Sequence, residues 1–187
     1  MRGQGAAYDE RRTAIVEAVL DLVDTSGVDQ VTVRRVADRA GVSLGRVQHY
    51  FSTKDELLGA AFAAINELGA RRVQERAGGD DVLRAVLLVL IPRTEEDRRL
   101  VRIQQAFETY ALTSPELGAQ VTQGYSDLAG LFALLLGGEL ADGHELLATA
   151  VGLSTLVLTD AVTSAQAERI IDARLRHIVG AAGQVEA

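Results

Sequence analysis

The sequence has no cysteine, two prolines and only 4% aromatic residues among its 187. Without cysteine there is no disulfide, no thiolate metal ligand and no cysteine nucleophile, a condition that a reduced cytoplasm permits. With so little proline, and with Ala, Leu, Glu and Arg abundant in a chain that is 48% apolar, helix is favoured and strand-rich folds are not. Long hydrophobic runs are missing too. The longest, residues 86–91 and 131–136, fall far short of the ~20 residues that span a bilayer, and the opening MRGQGAAYDERR lacks the apolar stretch of a secretion signal. These absences predict a cytoplasmic protein with no membrane partner.

The motifs of common enzyme classes are absent as well. There is no Gly-x-x-x-x-Gly-Lys phosphate loop and no His-Glu-x-x-His helix, and His49, His144 and His177 do not stand at metal-ligand spacing. No catalytic residue, metal or cofactor is expected.

What is present begins with charge. The net charge of −7 runs against nucleic-acid binding, yet residues 31–54 hold Arg34, Arg35, Arg39, Arg46 and Lys54 against Asp38 alone, a local +4 that leaves −11 on the rest. An acidic body behind a basic segment would orient that segment toward DNA. Lys54 is the one lysine of the chain.

Periodicity divides the chain into about nine helices. Ile15, Ala18, Val19, Leu22 and Val23 form one buried stripe in a helix predicted over 10–26, ended by Gly27. Thr32 can cap a second helix that stops at Gly41, and Ser43 a third that ends near Phe51. Ser52 or Thr53 can cap a long fourth helix reaching about residue 77, before Gly78-Gly79. Further on, Asp80 precedes a helix over 82–91 stopped by Pro92, Thr94 and Asp97 are spaced as a capping box, and Ser114-Pro115 opens a helix that closes at Gly137-Gly138. Two more helices are predicted over 142–164 and 166–179. No strand or fixed-period repeat is found.

The second and third helices carry the chemistry. In VTVRRVADRAGVSLGRVQHYF, Ala37 and Gly41 allow two helices to approach and turn sharply, with Val36, Val42 and Val47 as the small core between them. The remaining face of the third helix is polar and narrow. Gly45 lets backbone approach a groove; Arg46, Gln48 and His49 are donors able to read base edges or hold phosphates, Arg46 being suited to bidentate contact with guanine. Thr32, Ser43, Tyr50 and Lys54 suit phosphate contacts. Lys54 could instead be an ordinary solvated lysine, and His49 a packed one. Phe51 is assigned to the core, and Arg39 to a surface pair with Asp38 or Glu56.

From Arg11-Arg12 through TVRRVADRAGVSLGRVQHYFSTKDELL to about Phe62, the chain resembles the tetracycline-repressor (TetR) family. The matching pattern is Thr32, Ala37 to Ser43, Tyr50-Phe51, then Ser52, Lys54, Leu57 and Leu58. The resemblance implies an all-α fold, with a helix-turn-helix head over 1–53 and a ligand-binding, dimerising body over 54–187. It implies DNA contact by Thr32, Arg34, Ser43, Leu44, Gly45, Arg46, Gln48, His49, Tyr50 and Lys54. Gln48 stands where many members have Tyr, so its contact is to base or to phosphate. The stretch LRAVLLVLIPRTEEDRRLVRIQQAFETYALTSPEL is also similar to the betaine-type repressor branch.

The resemblance further implies a repressor that an unknown small-molecule ligand releases from a near-palindromic double-stranded operator; the alternatives are a ligand-responsive activator, which would use the same head, and a helical interaction module without DNA binding. Candidate pocket residues are Gln104, Phe107, Glu108 and Tyr110, with Phe62, Phe132 and Thr149 as walls; an aromatic stripe at helical spacing is more often ordinary core. The late helices carry Leu147, Val151, Ser154, Leu158, Ile170, Ile171, Leu175 and Ile178, more apolar surface than a small body readily buries. A homodimer interface is expected there, with two heads about 34–36 Å apart.

Overall fold

The computed structural model describes residues 2–76 and 81–185, with side chains over 8–75 and 81–178. Among the described residues there are nine α-helices, one 3-10 turn and no strand. In chain order they are α1 (Arg2–Ser26), the 3-10 turn Val28–Gln30, α2 (Val33–Ala40), α3 (Leu44–Tyr50) and α4 (Lys54–Arg76). Then come α5 (Val82–Val89), α6 (Glu95–Ala111), α7 (Pro115–Leu136), α8 (Leu140–Leu158) and α9 (Ser164–Val185). No helix among them is long and apolar enough to cross a membrane.

The chain forms two compact units, neither continuous in sequence. One comprises the residues through Glu67 with Arg102–Val121, the other Leu68–Val101 with the residues from Thr122 onward. This cut by compactness differs from the 53/54 division of labour read from the sequence.

In the first unit α2 packs on both α1 and α3, and Ile15, Val19 and Val23 of α1, Val36 and Ala37 of α2 and Val47 of α3 are buried. Each of the Val and Ile side chains contributes roughly 1.5–3 kcal/mol when fully buried. α1 begins at Arg2, eight residues before the predicted start, so Tyr8 belongs to it. Leu57, Leu58, Ala61 and Phe62 continue this core along α4, where the Phe62 ring meets Phe107 of α6 edge-on at 5.8 Å.

In the second unit, Val86, Leu87 and Ile91 pack with Phe132, Leu146, Leu153, Val157 and Ile171. α7 and α8 cross at Gly143, where a Cβ would lie 2.0 Å from the Ala129 carbonyl oxygen, so only glycine fits. α5 stops at Val89 rather than 91 because the N–H groups of Leu90 and Ile91 turn to carbonyls three residues back, immediately before Pro92. Its cap is Asp81, whose carboxylate accepts from the Arg84 N–H; Asp80 and Gly78-Gly79 lie outside the described residues. At α6 the predicted box is formed: Thr94 Oγ1 accepts from the Asp97 N–H and Asp97 accepts from the Thr94 N–H, both at 3.1 Å.

α8 is the main departure. It spans Leu140–Leu158 rather than 142–164, because Asp160 adopts a left-handed φ of 58° and ends it. Arg98 of α6 donates to the carbonyls of Val157 and Leu158 and to the Asp160 carboxylate at 2.9–3.0 Å, so the helix end is satisfied from a distant segment. Thr163 then caps α9 through the Gln166 N–H, starting it at Ser164.

Candidate nucleic-acid interface

The α2–α3 pair is set by local chemistry at each end. Thr32 Oγ1 accepts from the Arg35 N–H at 3.3 Å and Ser43 Oγ from the Arg46 N–H at 3.2 Å, so each helix has its own N-cap. Between them Gly41 sits at φ 65°, ψ 31°, and the Val42 N–H returns to the Ala37 carbonyl at 3.0 Å. No atom lies within 4 Å of a Cβ added at Gly41, so the left-handed backbone and not crowding calls for glycine.

This turn leaves α3 with one side inward and the rest outward. Val47 is fully buried and Val42 half-buried, whereas Leu44, Gly45, Arg46, Gln48 and His49 are exposed. Seven residues make a helix roughly 10 Å long, and its diameter of about 10–12 Å with side chains fits a B-DNA major groove about 12 Å wide. Thr32, Arg34 and Ser43 are exposed beside it, and Tyr50 is half-buried. The ten predicted contact residues thus gather around α3 and its two flanks, all in the first unit.

The five cations counted in this stretch are not equivalent. Arg35 donates to the Gln30 carbonyl and to Ser26 Oγ, bracing the 3-10 turn, and Arg39 pairs at 2.9 Å with Asp21 of α1 rather than with Asp38 or Glu56. The Lys54 Nζ lies over the Tyr110 ring at 5.5 Å. Arg34 and Arg46 have no partner among the described residues, and both are exposed. Thr53, not Ser52, caps α4: its hydroxyl accepts from the Glu56 N–H while Glu56 accepts from the Ser52 N–H.

Phe51 is buried as expected, with the Arg12 guanidinium 5.4 Å above its ring. Sequence reasoning missed Tyr8, whose ring lies 4.6 Å from that of Tyr50; it falls outside the helix that periodicity predicts. A cleft of about 370 Å³ lies alongside, lined by Arg12, Tyr50, Phe51, Glu56, Gly59, Ala60 and Gln120.

The predicted pocket residues line none of this cleft. Phe62 and Phe107 are buried against each other as core, Gln104 Nε2 donates to Glu108 Oε1 at 3.0 Å, and Tyr110 is half-buried, all in the first unit. Phe132 and Thr149 belong to the second unit, Phe132 as core and Thr149 with its hydroxyl turned to the Glu145 carbonyl of its own helix. The residues expected at an interface differ in burial. Leu147, Ser154 and Ile171 are buried in the second unit, where these faces of α8 and α9 close its core. Ile170 is exposed, and Val151, Leu158, Leu175 and Ile178 are half-buried.

Residues 15–61, the segment that contains this head, match the model of the bacterial regulatory proteins of the tetR family. The regulator BetI of Burkholderia thailandensis is 30% identical over 135 residues, 67% of this chain and 69% of that protein. The chain belongs to the tetR family. The regulator PksA of Bacillus subtilis is 32% identical over 133 residues, 68% of this chain, and the chain spans just under two thirds of its length, 65%. A crystal structure of a transcriptional regulator from Rhodococcus sp. Rha1 superposes with a TM-score of 0.81 at 29% identity, covering 91% of this chain and 96% of that one. The multidrug binding protein EbrR, in a crystal structure complexed with imidazole, gives a TM-score of 0.69 at 25% identity, covering 87% and 88%. PksA, BetI and the Rhodococcus protein are transcriptional regulators, and EbrR is a multidrug binding protein.

Proposed function

We propose that this tetR-family protein is a sequence-specific transcriptional repressor that a small-molecule ligand releases from its operator. The observation that carries the reading is the exposed row Leu44, Gly45, Arg46, Gln48 and His49 on a capped helix whose opposite side is pinned by Val47. Arg46 reads a guanine edge, Leu44 offers apolar contact to a thymine methyl, and Gln48 and His49 supply further donors. Thr32, Arg34, Ser43, Tyr50 and Lys54 hold phosphates and fix the register.

The division of labour is a DNA-reading part over 1–53 and a sensing and dimerising part over 54–187, working in the cytoplasm. Two copies reading half-sites one helical turn apart require a near-palindromic operator. The surface left to join them is Val151, Leu158, Ile170, Leu175 and Ile178. The ligand role draws on the imidazole-bound EbrR neighbour and on the half-buried polar groups Gln104, Glu108 and Tyr110 beside Phe62 and Phe107. Release follows if the ligand prefers a head spacing that the operator does not.

The test is selection of duplexes from a random DNA pool by the purified protein, followed by salt titration of the winner. A near-palindrome whose affinity falls steeply with salt is the expected result. Absence of enrichment, in protein stripped of small molecules by refolding, overturns the reading.

A further inference from the structure

Two aromatic rings meet that of Tyr50, the last residue of α3. Tyr8 of α1 has its ring centroid 4.6 Å away at a 46° tilt, and His49 meets it edge-on at 5.5 Å. One turn further along α1, Arg12 lies over the ring of the next residue, Phe51. Tyr8 and Arg12 are four apart and share one helix face, so the outer end of α1 grips the C-terminal end of α3 at two consecutive residues.

Fold stability alone accounts poorly for Tyr8. It remains 44% exposed, so it buries far less area than a core aromatic such as Phe107, which is fully covered. Its effect falls instead on a ring at the edge of the reading face, at a helix end where the chain passes into the extended backbone of Phe51. A tyrosine free to sample rotamers there would be ordered only when it met DNA, at a cost of roughly two- to tenfold in affinity.

We infer that Tyr8 is a positioning residue for DNA binding, its ring fixing that of Tyr50 before the phosphate arrives. The inference rests on the reading of α3 and its flanks as the DNA-contacting head. Tyr8 acts through its ring and not through its hydroxyl.

The test is a double-mutant cycle on the full chain with its selected operator. Tyr8→Phe should bind as wild type, while Tyr8→Ala should bind about three- to tenfold more weakly, with an unchanged slope of affinity against salt. In a Tyr50→Ala background, Tyr8→Ala should cost nothing further. In the free protein, ring protons of Tyr50 should show ring-current shifts that shrink in Tyr8→Ala and persist in Tyr8→Phe. Equal losses from Tyr8→Ala in both backgrounds, a loss in Tyr8→Phe, or unshifted Tyr50 protons in wild type would each overturn the inference. If wild type binds its operator and Tyr50→Ala is neutral, the role of Tyr8 falls while the DNA-binding reading stands; if wild type enriches no DNA, both fall. Tyr8→Leu, which keeps an apolar side chain, replaces Tyr8→Ala should the latter fold poorly.

Discussion

Five arginines of the second unit are tied to other helices, although Arg71 and Arg169 there are exposed with no partner among the described residues. In the second unit Arg72 is joined to Asp97 and Glu96, Arg84 grips Asp172 with two bonds, Arg93 pairs with Glu168, Arg98 closes α8, and Arg174 pairs with Glu145. Around α2 and α3, Arg35 and Arg39 are likewise engaged, but Arg34 and Arg46 face outward with no partner among the described residues. Where carboxylates from other helices are at hand, the guanidinium becomes a strut; where none is, its donors are left for a partner from outside the chain. A +4 segment is therefore a poorer guide to DNA contact than the subset of its cations that the fold leaves unpaired.

The largest effect expected from breaking this contrast is at Asp97. Its carboxylate is 4% exposed and accepts from the Arg93 and Thr94 N–H groups and from Arg72. Asp97→Ala leaves Arg72 without its buried partner and should cost roughly 3–5 kcal/mol in a urea unfolding experiment. A loss under 1 kcal/mol would mean that these arginines are not struts. Arg46→Ala should do the reverse, weakening operator binding by about 1–3 kcal/mol and relaxing preference at one base pair, with the melting temperature unchanged.

Acid should separate the two groups next. Burial pushes the Asp97 carboxyl up, but hydrogen bonds from Arg93 and Thr94 and the charge of Arg72 outweigh it and hold the group below the ordinary carboxylate value. At Asp172 the hydrogen bond from Arg84 is the main cause of a shift in the same direction. A carboxylate depressed in the folded state contributes stability that is fully present above its unfolded pKa of about 4 and is lost as pH falls through the lower folded value. Thermal stability should thus hold above about pH 4 and fall below it, less steeply in Asp172→Asn.

Smaller effects complete the ordering. Arg34→Ala should weaken binding to all sequences alike by a few-fold and reduce the salt slope by about 1. Arg39→Ala removes a pair whose side chains are 53% and 39% exposed, and should change stability by less than about 1 kcal/mol. A large loss of operator affinity in Arg39→Ala would blur the line between paired and free cations.

Most helix starts were legible because their causes lie within four residues. Thr32, Ser43, Thr94 with Asp97, and Ser114 before Pro115 each bond their own first turn. The α2–α3 turn was legible for the same reason, through the left-handed Gly41. The end of α8 was not, since neither glycine nor proline marks it and Arg98, about sixty residues away, holds it. Nor was the inward burial of Leu147, Ser154 and Ile171, because α8 carries apolar residues on more than one face and packing selects among them.

By itself the sequence determined most helix starts, the sharp turn at Gly41 and the inward placement of Val47 on α3, since caps, backbone preference and 3.6-residue periodicity act over a few residues. Only the tertiary structure decided which arginines are left unpaired, which apolar faces are already buried and that Tyr8 meets Tyr50. Each of these depends on a partner from another helix, and no local pattern along the chain records which side chains will meet.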